Sequence, residues 1–324
     1  KGLVEAFELA RNEARGAFGD DRVYLEKFVS RPRHVEIQVM ADKHGNVVHY
    51  GERECSVQRR HQKLVEESPC AALTPELRAA MGKAACDLSR AVGYVGAGTV
   101  EFLYSEGAFY FLEMNTRLQV EHPVTEMRFG VDLVREQIRV AAGETVAPVP
   151  EPRGHAIEVR VNAEDPNTYF PSLGRITRIN LPGGPGVRMD SALYRGLEVT
   201  PYYDSMLAKL VVHAADRAQA IERCERAIRE LRIVGVSTSL PVALRVLRNA
   251  EFRGGDYDTG ILERVDRAHD EEALERAMLA AAAARFLTVE RAGAAVEQAA
   301  GTSHDATPAW AALGRTDRLW RSRK

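Results

Sequence analysis

Two short strand-like runs, residues 98–104 and 108–114, flank Ser105-Glu106-Gly107, and that spacing leaves little room for anything but a β-hairpin. By the period-two rule, Phe109, Phe111, Glu113 and Asn115 share one face of the second strand. If the turn holds an odd number of residues, Glu101 on the first strand lies directly opposite Glu113. Two carboxylates so close repel by about 1–4 kcal/mol at ~4 Å. A divalent cation relieves that repulsion, and oxygen-only ligands favour Mg²⁺ or Mn²⁺ over zinc. The plain alternative is a hairpin whose acids face water.

The segment after the hairpin weighs against the plain alternative. Arg117, Gln119 and Glu121 recur at i, i+2 and i+4, so an extended backbone aims all three the same way. A guanidinium, an amide and a carboxylate together can hold a small oxyanion beside a base. A second polar run, Glu54-Cys55-Ser56-Val57-Gln58-Arg59-Arg60-His61-Gln62-Lys63, is dense in donors that suit phosphates, although most such runs are solvated. Arg160 shares the polar face of a strand with Glu158 and Asn162, opposite Ile157, Val159 and Val161, which by itself reads as a cross-strand ion pair. Pro182-Gly183-Gly184-Pro185-Gly186 resembles a phosphate loop but no suitable helix follows it, so it reads as a turn.

The rest of the chain frames these clusters. Helices are expected over 3–17, from Thr74-Pro75-Glu76 to Gly93, over 132–142 and over 216–231. Strands are expected at 23–28, 34–41, 47–50, 155–161, 174–180 and 206–213, with 146–152 a surface linker. Mixed hairpins and helices indicate an α+β fold. An Ala-rich amphipathic helix is expected over 270–290, then a polar stretch over 301–308 and a basic end over 310–324. With 324 residues, 45% of them hydrophobic, the chain can bury a large core in more than one unit. A net charge of −2 gives no electrostatic case for nucleic acid or an anionic membrane, and no apolar run approaches the ~20 residues of a membrane span. Cys55, Cys70, Cys86 and Cys224 show no zinc or disulfide spacing, which fits a reducing compartment, the cytoplasm or an organelle matrix.

Several blocks together carry a family resemblance. Leu25-Glu26-Lys27-Phe28, Arg31 to Gln38, Glu52 to Lys63, Glu113 to Glu126, Arg160-Val161-Asn162-Ala163-Glu164-Asp165-Pro166 and Pro201-Tyr202-Tyr203-Asp204-Ser205-Met206 resemble biotin carboxylase, the ATP-grasp component of acyl-CoA and pyruvate carboxylases. The resemblance runs from about residue 2 to residue 265. It implies an α+β ATP-grasp fold with a C-terminal biotin carboxylase sheet domain and a helical tail. The corresponding parts are a lid remnant at 1–25, a catalytic body at 26–150, a C-terminal domain at 151–265 and a tail or linker at 266–324.

The resemblance also implies roles. Glu26, Lys27, Phe28 and Val29 contact adenine with Leu103, His34 meets the ribose, and Gln58 and His61 approach the phosphates. Glu101, Glu113 and Asn115 hold Mg²⁺. Arg117, Gln119, the Val120 backbone and Lys63 bind bicarbonate, Glu121 is the base, and Arg160 stabilises carboxyphosphate and the biotin enolate. Implied partners are a biotin carboxyl carrier domain, a second copy of the chain and a carboxyltransferase subunit. The family's Rossmann-like domain, glycine-rich lid loop and phosphate-contacting lysine have no counterpart here, nor does a Met-Lys-Met biotinylation motif, so weak ATP binding and biotin supplied in trans are expected. Two alternatives are another ATP-grasp ligase, against which the Arg-x-Gln-x-Glu-His segment argues, and a truncated product that keeps only assembly contacts.

Overall fold

The structure, a computed structural model, describes residues 2–266 and 275–281. The chain forms two compact units, Lys1–Val265 and Asp266–Lys324. In the second, 275–281 is helical; the rest of the expected 270–290 helix and the stretches at 301–308 and 310–324 lie outside the described residues.

The first unit begins with α1 (Leu3–Phe18), which ends at Gly19 in the left-handed region and buries no residue. The strand expected at 23–28 does not form: 19–32 has no regular structure, and Tyr24, Leu25 and Phe28 are exposed with no neighbouring strand to pair with. Next come β1 (Arg33–Ala41), β2 (Val47–Arg59) and β3 (Gln62–Ser68), so the polar run at 54–63 is a β-hairpin turning at Arg60-His61. α2 (Pro75–Ala91) starts as its sequence predicts, with the Thr74 hydroxyl accepting from the Leu77 amide at 3.3 Å and Pro75 at the first position. β4 (Gly96–Ser105) and β5 (Ala108–Asn115) form the second hairpin. α3 (His122–Phe129) and α4 (Leu133–Ala141) follow. The stretch at 146–152 is not a free linker, since Val146 and Val149 pack beside Met40, Tyr50 and Leu133, and the Val146 amide donates to Asp42 at 2.9 Å.

β6 (His155–Asn162) continues the sheet. The strand expected at 174–180 is split into β7 (Gly174–Arg175) and β8 (Arg178–Asn180), which join different two-stranded sheets. β7 pairs with β10 (Glu198–Val199), after β9 (Val187–Ser191). β11 (Met206–Ala214), α5 (Arg217–Glu230), β12 (Arg232–Val234), α6 (Leu240–Arg248) and α7 (Ala250–Gly254) complete the unit.

One antiparallel sheet runs β5-β4-β1-β2-β3-β6-β11-β9. Val35, Ile37, Val39, Val100 and Phe102 meet Met81 and Ala85 of α2, while Ile157, Val159, Val161, Leu210 and Val212 meet Ala220, Ile221 and Cys224 of α5. Contact between α2 and β2 is close enough that a Cβ on Gly82 would fall 2.5 Å from the His49 ring. The alternate residues of these strands form a polar face, and that face is covered too. All four cysteines are buried free thiols, and among the described residues no helix is long and apolar enough to cross a membrane.

Candidate active site

His34, Glu36 and Gln38 alternate with the core residues of β1 and form the start of the polar face. Glu36 lies opposite Arg53 on β2 and Glu101 on β4. Segment 116–121 and α3 close over this face, so its charges are buried and must pair with one another. Arg53 donates to Glu36 at 2.6 Å, Gln38 at 2.7 Å, Thr125 at 3.1 Å, Thr99 at 3.2 Å and Gln119 at 3.3 Å. Lys63 reaches the other Glu36 oxygen at 2.6 Å, Glu101 at 3.3 Å, and Glu121. Burial opposes charge on Glu36, but Lys63 and then Arg53 outweigh it and hold the carboxyl at about 2. Burial likewise works against the Lys63 ammonium, yet Glu36 and its fellow acids push it above its usual value, making it a permanent cation.

Glu101 and Glu113 do face each other, though not by the expected route. Ser105 pairs with Ala108, so the turn has two residues, Glu106 and Gly107, both at positive φ, and an even turn would send the two acids to opposite faces. Leu112 reverses this. It has no partner in the ladder, which passes from Phe102↔Phe111 to Glu101↔Glu113, and this bulge shifts the side-chain phase by one. Phe109 and Phe111 therefore do not share a face with Glu113; both stack edge-on against Phe102 on the core side. On the polar side, the Asn115 amide donates at 3.1 Å to both Glu101 and Glu113.

A donor bridging two carboxylates occupies the place where a cation would do the same electrostatic work. With the amide flipped, the trio presents only oxygens, which fits a hard divalent cation. Glu101 also accepts from Gln119 at 2.7 Å and pairs with His34 at 2.9 Å. Burial opposes its charge, yet the His34 contact and Lys63 hold it at about 2.

Glu121 precedes the first turn of α3 and is buried, with one oxygen on Lys63 and the other on Arg160 at 2.9 Å. Arg160 reaches back to Glu66 on β3 at 2.6 Å, so the expected cross-strand pair exists as one arm of a bridge to Glu121. Lys209 on β11 donates to the Val120 carbonyl at 2.9 Å and fixes the same loop. The expectation that Arg117 points the same way as Gln119 and Glu121 is not met. Segment 116–121 is irregular, not extended, so Gln119 and Glu121 turn inward while Arg117 is exposed and reaches only the Leu118 carbonyl at 3.4 Å.

Of the residues expected around the nucleotide, His34 and Leu103 pair across β1 and β4, and Leu103 pairs with Tyr110, which Lys27 also reaches. Glu26, Lys27 and Phe28 are exposed in the irregular stretch, Val29 is half-buried, and Lys27 bonds to the Tyr110 hydroxyl at 2.9 Å. Gln58 lies opposite Lys63, His61 sits exposed at the hairpin turn, and Leu103 is half-buried beside His34 and Tyr110. His34 is directed at Glu101. Glu36, Arg53, Glu66 and Lys209 carry much of the site, and sequence reasoning gives them no role. Their only signal is polar alternation on a β-strand, which by itself marks a face turned to water.

Comparison with known proteins agrees with this architecture. Residues 1–149 match the family described as carbamoyl-phosphate synthase L chain, ATP binding domain, and residues 158–264 match the biotin carboxylase C-terminal domain. The chain is 54% identical over 278 residues to the chloroplastic biotin carboxylase of Arabidopsis thaliana, covering 84% of this chain and 51% of that protein. The chain belongs to the biotin carboxylase family. Among solved biotin carboxylases, the dimeric biotin carboxylase domain of Hydrogenobacter thermophilus 2-oxoglutarate carboxylase, in complex with MgADP, ADP and bicarbonate, is 47% identical with a TM-score of 0.76, covering 82% of this chain and 60% of that one. The Campylobacter jejuni biotin carboxylase in a β-γ-ATP complex is 47% identical with a TM-score of 0.77, covering 81% and 59%. The chain thus spans 51 to 60% of the lengths of these biotin carboxylase relatives.

Proposed function

We propose that the chain catalyses ATP-dependent carboxylation of biotin held on a carrier domain, with bicarbonate as the carbon source and carboxyphosphate as the intermediate. A bicarbonate oxygen attacks the γ-phosphorus and ADP leaves. Carboxyphosphate then breaks down to CO₂ and phosphate, N1 of biotin gives its proton to that phosphate, and the deprotonated nitrogen takes up the CO₂. Glu121 is the base that removes the bicarbonate proton. Both its oxygens are held by cations, so the entering anion competes with it for Lys63 and Arg160, and that exchange places bicarbonate beside its base. Arg160 then faces the carboxyphosphate and the biotin enolate, with Gln119 and the Val120 backbone completing the anion site and Arg117 turning in from solvent.

Glu101, Glu113 and Asn115 would hold Mg²⁺ or Mn²⁺, which when bound neutralises phosphate charge. The nucleotide would lie along Glu26, Lys27, Phe28, Val29, His34, Gln58, His61 and Leu103, where the exposed backbone of 26–29 has to order on binding. The partners that fit are a biotin carboxyl carrier domain, a second copy of the chain and a carboxyltransferase subunit, in the cytoplasm or an organelle matrix.

One observation carries this reading: Glu121 clamped between Lys63 and Arg160 within the same cluster as Glu101. The test is ATP hydrolysis with and without bicarbonate and free biotin. Bicarbonate-dependent turnover lost by at least ~100-fold in Glu121→Gln is expected, on the scale of general-base catalysis. Turnover that survives this substitution would refute the assigned base.

A further inference from the structure

Glu66 and Glu158 form an acidic pair outside the cation-ligand trio. They are directly opposite in the β3–β6 ladder, which sets their Cβ atoms about 5 Å apart on one face. Both are wholly buried. Among the described residues, of their four carboxylate oxygens only Oε1 of Glu66 has a hydrogen-bond partner, the Arg160 Nε at 2.6 Å; Oε2 of Glu66 and both oxygens of Glu158 have none. A buried carboxylate without a donor is among the costliest groups a protein can hold, and a second one opposite it adds repulsion.

The surrounding cations are already committed. Arg160 gives its other arm to Glu121. Lys209 holds the Val120 carbonyl at 2.9 Å and lies 3.6 Å from Asp190. Lys63 serves Glu36, Glu101 and Glu121. From α3, His122 bonds to the Gln119 carbonyl at 2.9 Å, and Glu126 takes Arg188, which also binds Asp190. Glu36, Glu66, Glu101, Glu121 and Glu158 therefore exceed Arg53, Lys63, Arg160 and Lys209 by one charge.

We propose that Glu158 and Glu66 hold one proton between them, and that this proton makes Glu158 a positioning residue for Arg160. With the pair singly charged, Arg160 keeps charge to spend at the Glu121 end. With both acids ionised, they would draw the guanidinium toward β3 and away from the anion site. Burial first, and the opposing carboxylate second, push the Glu158 carboxyl well above its ordinary value; burial also raises Glu66, against the pull of Arg160. The catalytic consequence rests on the proposed carboxylation; the proton itself does not.

Infrared spectroscopy of the whole chain in D₂O tests this without turnover, by the carbonyl band of a buried protonated carboxylic acid. The wild type is expected to show the band at neutral pH, beyond the ordinary Glu range, and to lose it only as the pH is raised further. Glu158→Gln, nearly isosteric with the protonated acid, should lose it. Glu66→Gln should shift it, because the partner of the shared proton becomes an amide. No band in the wild type at neutral pH, a band already lost on raising the pH to about 6, or one that persists in Glu158→Gln or is unshifted in Glu66→Gln overturns the proposal. Should Glu158→Gln fail to fold, the wild-type pH series decides alone. A band with these properties in a chain that shows no bicarbonate-dependent hydrolysis would leave the proton site standing and sink the functional reading.

Discussion

Arg53 donates from Nε to Glu36 at 2.6 Å with neither side chain exposed to solvent, and this ion pair forms the floor of the site. Removing one partner of such a pair leaves an uncompensated buried charge. Glu36→Gln leaves Arg53 with only neutral partners and takes one of three acids from Lys63, and a loss of about 3–5 kcal/mol is expected. Urea unfolding measures it; a loss below about 1 kcal/mol would show the pair to be less isolated from water than the structure indicates.

Stability should fall in acid. Glu36 and Glu67 are both held at about 2 against an ordinary 4.5: burial opposes their charge, but Lys63 and Arg53 prevail at Glu36, and the His155 contact and Arg217 at Glu67. A depressed carboxyl favours the folded state above its unfolded pKa. That contribution is lost as the pH drops from about 4.5 towards about 2. Circular dichroism at graded pH should show a transition in that window, and Glu67→Gln should reduce its pH dependence.

The cation site can be read without catalysis. Glu113 is the exposed member of the trio, so Glu113→Ala should weaken Mn²⁺ binding by ~10-fold or more, judged by the scale of ligand-shell losses, while leaving the fold intact. Electron paramagnetic resonance of free Mn²⁺ gives the affinity directly. An unchanged affinity would remove the trio from consideration.

The hairpin makes a further, unusual prediction. Deleting Leu112 abolishes the bulge but leaves Glu113 as the next residue after Phe111, still opposite Glu101 in a regular ladder, so Mn²⁺ binding should be largely kept. Loss of binding in this variant would mean that the bulge matters for more than phase.

How far the sequence can be read follows from how local each signal is. Thr74-Pro75 marks the start of α2 because capping needs only neighbouring residues. The opposition of Glu101 and Glu113 follows in sequence only from the wrong turn parity, since a bulge leaves no mark in composition. The strands expected at 23–28 and 174–180 have the right residues, but the first has no neighbouring strand and the second is divided between two small sheets. Lys63, Glu101, Glu121 and Arg160 converge from four separate elements, and no periodicity within one element can encode that. Glu36 and Arg53 escape notice because alternation says which residues share a face, not what will lie over it.

The β3–β6 ladder joins the stretches that match two different families, since Val65 and Glu66 of the first pair with Val159 and Glu158 of the second. A cut near residue 150 would therefore separate names without separating objects. It would leave β3 as a raw edge, open to pairing with any strand it meets, and would take Arg160 away from the glutamates it holds. The border between the two families runs through the middle of one fabric.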